Sequence, residues 1–100
     1  MNKVKFGDMH AITFTVTTEA QQPVDLTGAT IRLLARRVGA PEAVVLLATL
    51  GDGLGEVVHQ LDGTLAVGVY HIEIEVTSGQ DINTAPTDGY AELVVARSIV

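Results

Sequence analysis

Pro23-Val24-Asp25-Leu26-Thr27-Gly28-Ala29-Thr30-Ile31-Arg32-Leu33-Leu34 passes from turn chemistry straight into a strand, with no helical signal between. The side chains of Asp25 and Thr27 can hydrogen-bond nearby backbone, Gly28 can take a positive φ at no steric cost, and β-branched Thr30 and Ile31 suit a pleated strand. The stretch predicts a corner between two strands, with Asp25, Thr27 and Gly28 as the residues that set it and deliver Ile31 and Leu33 to a core. It carries no catalytic chemistry.

Alternation extends in both directions from this corner. Upstream, Ile12, Phe14 and Val16 fall on one face and Thr13, Thr15 and Thr17 on the other, the period of a half-buried strand. Val4 and Phe6 alternate with Lys3 and Lys5 as a short first strand, Gly7-Asp8 breaks it, and residues 19–23 are turn-like. Downstream, Ile31, Leu33 and Ala35 share one face while Arg32, Leu34 and Arg36 share the other, until Gly39-Ala40-Pro41. Residues 43–50 are apolar on both faces, which fits a strand covered on both sides or a short helix begun by Pro41; β-branched Val44 and Val45 favour the strand.

After the turn cluster Gly51-Asp52-Gly53-Leu54-Gly55, Val57, His59 and Leu61 alternate with Glu56, Val58 and Gln60, and Asp62-Gly63 turns the chain again. Tyr70, Ile72, Ile74 and Val76 then oppose His71, Glu73, Glu75 and Thr77. Ser78-Gly79-Gln80-Asp81 ends that strand, a polar loop is expected as far as Asp88-Gly89, and a last strand spans residues 90–96 with Ala91, Leu93 and Val95 on one face. About seven short strands with no helix predict one all-β domain over residues 1–100, an immunoglobulin-like antiparallel two-sheet β-sandwich. Gly68-Val69-Tyr70 fits a tyrosine corner, in which a Tyr near the start of a late strand bonds back to upstream backbone; a plain core tyrosine is the alternative.

Composition narrows the function. Of 100 residues 47% are hydrophobic but only 4% aromatic, so Val, Leu, Ile and Ala must build the core. Six basic against twelve acidic residues give a net charge of −6, the wrong sign for a phosphate backbone, so no nucleic acid is expected as partner. With no Cys there is neither a disulfide nor a thiolate metal site, and synthesis in a reducing cytoplasm is the default. Lys3 and Lys5 run into Gly7-Asp8-Met9-His10 instead of an apolar segment, so no signal peptide is expected, and no apolar run approaches bilayer length.

Candidate chemical sites are few. Glu73 and Glu75 lie two apart on one strand face and could pair as acid and base in a hydrolase, but no third polar residue converges on them, and the wet face of a strand explains both. His10, His59 and His71 lack metal-ligand spacing; His59 shares a face with Val57 and Leu61 and is expected partly buried with a hydrogen bond, whereas His71 is expected to face solvent. Asp52-Gly53 and Asp62-Gly63 lack the carboxylate pattern of a calcium loop and read as turns. There is no nucleophile elbow, P-loop or dinucleotide fingerprint, so no catalytic residue, cofactor or metal is assigned. The apolar surplus is more informative: Leu34, Val44, Leu46, Leu50 and Val58 cannot all face inward, and they are the candidate protein interface, with a covered middle strand or looser register as the alternative.

Four ordered stretches give the chain a family likeness: Phe6-Gly7-Asp8 leading to Ile12-Thr13-Phe14-Thr15-Val16; Pro23 to Ile31; Leu50-Gly51-Asp52-Gly53-Leu54-Gly55-Glu56-Val57; and Leu65 through Gly68 to Thr77. Together they resemble the N-terminal immunoglobulin-like module of tailed-bacteriophage upper baseplate proteins and related tail-fibre or minor tail proteins. The resemblance implies a non-enzymatic virion component, made in the bacterial host cytoplasm, that assembles with other tail, baseplate or fibre proteins and as a homo-oligomer, away from any membrane. Those proteins continue into linkers and an oligomerising region, whereas this chain stops at Val100. An adaptor, a fibre-attachment protein or a head decoration protein is therefore expected, and a host-surface or carbohydrate-binding module is the alternative.

Overall fold

A computed structural model describes residues 2–18, 20–86 and 91–97. Among them it is all β, with no helix, in two sheets. The larger sheet contains β1 (Asn2–Lys5), β3 (Thr30–Arg37), β4 (Val44–Leu46), β7 (Gly68–Ser78), β8 (Asp81–Ala85) and β9 (Ala91–Ala96). Its path runs β1-β9-β7-β3-β4, with β8 paired to β7 off that path. The smaller sheet is β2 (Ala11–Thr15), β6 (Glu56–Gln60) and β5 (Thr49–Leu50), in the order β2-β6-β5.

Alternation puts one core between the two sheets. Ile12, Phe14 and Val57 come from the smaller sheet, Leu33, Ala35, Tyr70, Ile72, Ile74, Leu93 and Val95 from the larger, and all are buried in one cluster. This is the arrangement of a β-sandwich. The inward sets expected for β2, β3 and β9 are the ones observed, except that Ile31 and Ala91 are only half-buried. Leu26, in the predicted corner, is also buried and anchors the turn to the core. Thr27 N–H donates to Asp25 Oδ1 at 2.9 Å, and Gly28 has φ +78°. Hydrogen bonds from the Thr27 hydroxyl and N–H hold the Asp25 carboxyl below its ordinary value.

Several expectations need correction. Nine strands are described instead of about seven, and the pairing is not wholly antiparallel, because β1 runs parallel to β9. Residues 43–50 form neither one covered strand nor a helix. They are two short strands in different sheets: β4 pairs with β3, and three residues later β5 pairs with β6. The chain crosses between sheets at Leu47 and Ala48, so its apolar residues lie at sheet edges and not in a middle strand. Residues 81–85, expected as loop, form β8 and return along β7 from Ser78↔Asp81 to Ile74↔Ala85. The Gly79 turn, at φ +60°, closes this hairpin; a turn-rich tetrad between alternating residues is a hairpin signal as well as a strand end. Phe6 lies beyond β1 in a turn and is exposed, whereas Val4 is buried as expected. The loop end at Asp88-Gly89, the start of the last strand at Tyr90, and Glu19 fall outside the described residues.

Gly55 shows why the Gly51 to Gly55 cluster is glycine-rich. At φ +75°, an added Cβ would sit 2.5 Å from Val16 O and 3.2 Å from Val24 N. The close approach lets Val16 N–H donate to Gly55 O at 2.7 Å while Val24 N–H donates to Val16 O at 3.0 Å. Three distant segments are thus joined behind the corner by backbone alone.

Candidate functional site

The crossover that ends the larger sheet and enters the smaller one gathers four exposed large apolar side chains, Val44, Val45, Leu47 and Leu50, within seven residues. β4 pairs with β3 through Leu33↔Leu46, Leu34↔Val45 and Ala35↔Val44, and among the described residues no strand lies on its other side. Its backbone groups along that edge are therefore available to an incoming strand. Val44 and Val45 are adjacent, hence on opposite faces, and both are more than half exposed, at 51% and 56%. Leu47, at the crossover, is 88% exposed.

The five candidate interface residues do not share one environment. Val44 and Leu50 are exposed, on β4 and β5 respectively. Leu34 is half-buried on the outer face between Arg32 and Arg36, opposite Val45. Leu46 packs against the core, so its side chain belongs to the fold even though its backbone lies on the edge strand. Val58, half-buried and opposite Thr49, lines a groove of about 730 Å³ with Val45, Leu47, Leu61 and Leu65. Sequence reasoning missed Val45 and Leu47, the most exposed of the set. The missing signal was the break at Leu47 and Ala48, which contains neither Gly nor Pro.

His59 fixes this crossover. Its Nδ1 lies 2.6 Å from Leu47 O, which requires the Nδ1–H form as donor, and the ring is half-buried beside the groove. The expectation of a partly buried, hydrogen-bonded His59 matches this geometry. At the groove's end, Asp62 accepts from the Thr64 hydroxyl and from the Thr64 N–H at 3.0 Å, and those bonds hold its carboxyl below the ordinary value.

Polar candidates elsewhere resolve into sheet-surface pairs. Glu75 Oε1 accepts from Arg32 Nη1 at 3.2 Å, across the register pair Arg32↔Glu75, while Glu73 is exposed opposite Leu34. The two carboxylates therefore face different neighbours and do not converge on a common point. His71 is half-buried, opposite Arg36 on β3 and Glu92 on β9, and so is less solvent-facing than expected. Among the described residues no group of three or more His, Asp or Glu side chains is placed to hold a metal. Tyr70 is buried, and its hydroxyl donates to Ala66 O at 2.8 Å, the bond expected of a tyrosine corner. Among the described residues no helix is long and apolar enough to cross a membrane.

A scan of protein-family models and searches of curated proteins and of solved structures gave no match to this chain.

Proposed function

We propose that this chain is a non-enzymatic structural component of a bacteriophage virion, a tail or baseplate adaptor or fibre-attachment protein that works by protein–protein assembly. The order β1-β9-β7-β3-β4 facing β2-β6-β5, with β1 parallel to β9, supports reading the sandwich as immunoglobulin-like of the variable type, with β8 an added hairpin strand. The Tyr70 to Ala66 bond at the start of β7 agrees with that reading. So do the four ordered stretches that resemble the baseplate module, whose residues form the corner, the Gly55 crossing and the β7 strand.

The observation that carries the assembly reading is the open apolar edge. Ala43 to Leu50 has no charged residue in a chain of net charge −6, and four of its large apolar side chains, Val44, Val45, Leu47 and Leu50, are exposed. An edge strand left without Lys, Glu or Pro invites pairing, which an isolated soluble domain is selected to avoid. The partners in this reading are other virion proteins and further copies of the chain.

Imaging of intact particles that carry a labelled copy tests the assignment. Label at the tail or baseplate is the expected result. Label confined to the capsid would instead make the chain a head decoration protein of the same fold, and particles without label would remove the virion assignment altogether.

A further inference from the structure

We infer that β4 pairs antiparallel with the β4 of a second copy, about a two-fold axis at Val45, so that the larger sheet runs continuously through two molecules. The inference rests on reading residues 43–50 as an assembly surface, but not on which particle holds it.

The open edges differ in what they present. β1 carries Lys3 and Lys5, and β8 begins at Asp81, charges that discourage edge-to-edge pairing. β2 keeps Ile12 and Phe14 in the core and shows threonines outside. β5 is two residues long and half polar. Among the described edges, only β4 has exposed apolar side chains on both faces of the strand.

Self-pairing at this edge is also free of like-charge opposition. With Val45 on the two-fold axis, Val45 faces the partner's Val45, Val44 faces the partner's Leu46, and Ala43 faces the partner's Leu47. The one flanking charge, Glu42, faces the partner's Ala48. Two chains that each carry −6 can therefore meet here without placing one carboxylate against another. The same register gives Leu47 somewhere to go. Ala43 forms the rim of a groove of about 320 Å³ lined also by Leu34, Arg36, Pro41, His71 and Glu73. The partner's Leu47 would come to that rim, and the same contact would repeat on the other side of the axis. Because β4 is only three residues long, the dimer belongs with small interfaces, and an affinity on the order of micromolar is expected.

Light-scattering mass of the purified chain, with Val45→Lys and Val45→Glu variants, tests the pairing. The wild type should approach twice 10.5 kDa as concentration rises. Each variant alone places like charges opposite one another and should weaken association by about tenfold or more, whereas an equimolar mixture should recover the dimer. Val45→Cys, in a chain otherwise free of Cys, should form a disulfide-linked dimer on oxidation, since antiparallel partners lie at Cα separations of roughly 4.5–5.5 Å, within disulfide reach. Val45 is exposed, and unchanged thermal melts would establish that the variants fold; Val45→Cys carries the test if a charged variant melts early. A monomeric wild type, dimers that survive both charges, or a mixture that stays monomeric would overturn the pairing. A monomer would leave the virion assignment to its own labelling experiment, and unlabelled particles would leave the dimer untouched.

Discussion

At Tyr70 a buried ring sits in the core while its hydroxyl reaches 2.8 Å back to Ala66 O, so the side chain both fills space and closes the loop before β7. Tyr70→Phe keeps the ring and removes only the bond. It should cost about 1 kcal/mol, read as a lower urea midpoint at unchanged slope. A larger loss, or a changed slope, would mean that the hydroxyl organises more than this loop. The sequence placed Tyr70 at the start of an alternating strand but left a tyrosine corner and a plain core tyrosine open; the bond to Ala66 O is the one expected of the corner. His59 was legible as half-buried from its face, but its partner, Leu47 O, was not. A hydrogen bond between residues twelve apart depends on how two strands are brought together, which neither local pattern contains.

Among the elements, β2, β3, β7 and β9 are long enough for alternation to identify their inner faces. The misread stretch, residues 43–50, fails for a physical reason. Where a chain leaves one sheet for another, the face that points inward changes, and two short strands with opposite requirements look like one strand that is apolar throughout. Leu46 and Leu47 are neighbours in this stretch with different consequences. Leu46 packs against the core and Leu47 projects into solvent. Leu46→Asp should destabilise the fold by about 2–4 kcal/mol, because it puts a carboxylate against apolar neighbours, whereas Leu47→Asp should stay within about 0.5 kcal/mol of wild type. Chemical denaturation of the two variants side by side checks this. Equal losses would mean that Leu47 also packs inside and that the chain changes sheets at some other residue.

Over the whole molecule, one core serves both sheets, and Leu33, at 0% exposure, lies in it on β3 between β4 and β7. Leu33→Ala should therefore cost about 2–5 kcal/mol, the usual range for a fully buried leucine, and should lower a single cooperative transition. Two separate transitions would show that the sheets unfold independently. By itself the sequence determined that the chain is all β with strands for two sheets, the corner at Asp25, Thr27 and Gly28, and the inward residues of the longer strands, because these follow from turn chemistry and a period of two that each segment carries within itself. Only the tertiary structure decided that residues 43–50 divide between two sheets, that residues 81–85 form a strand, and that Val45 and Leu47 lie at an open edge. Those outcomes depend on which strands become neighbours, and pairing is set by the packing of distant segments over a shared core.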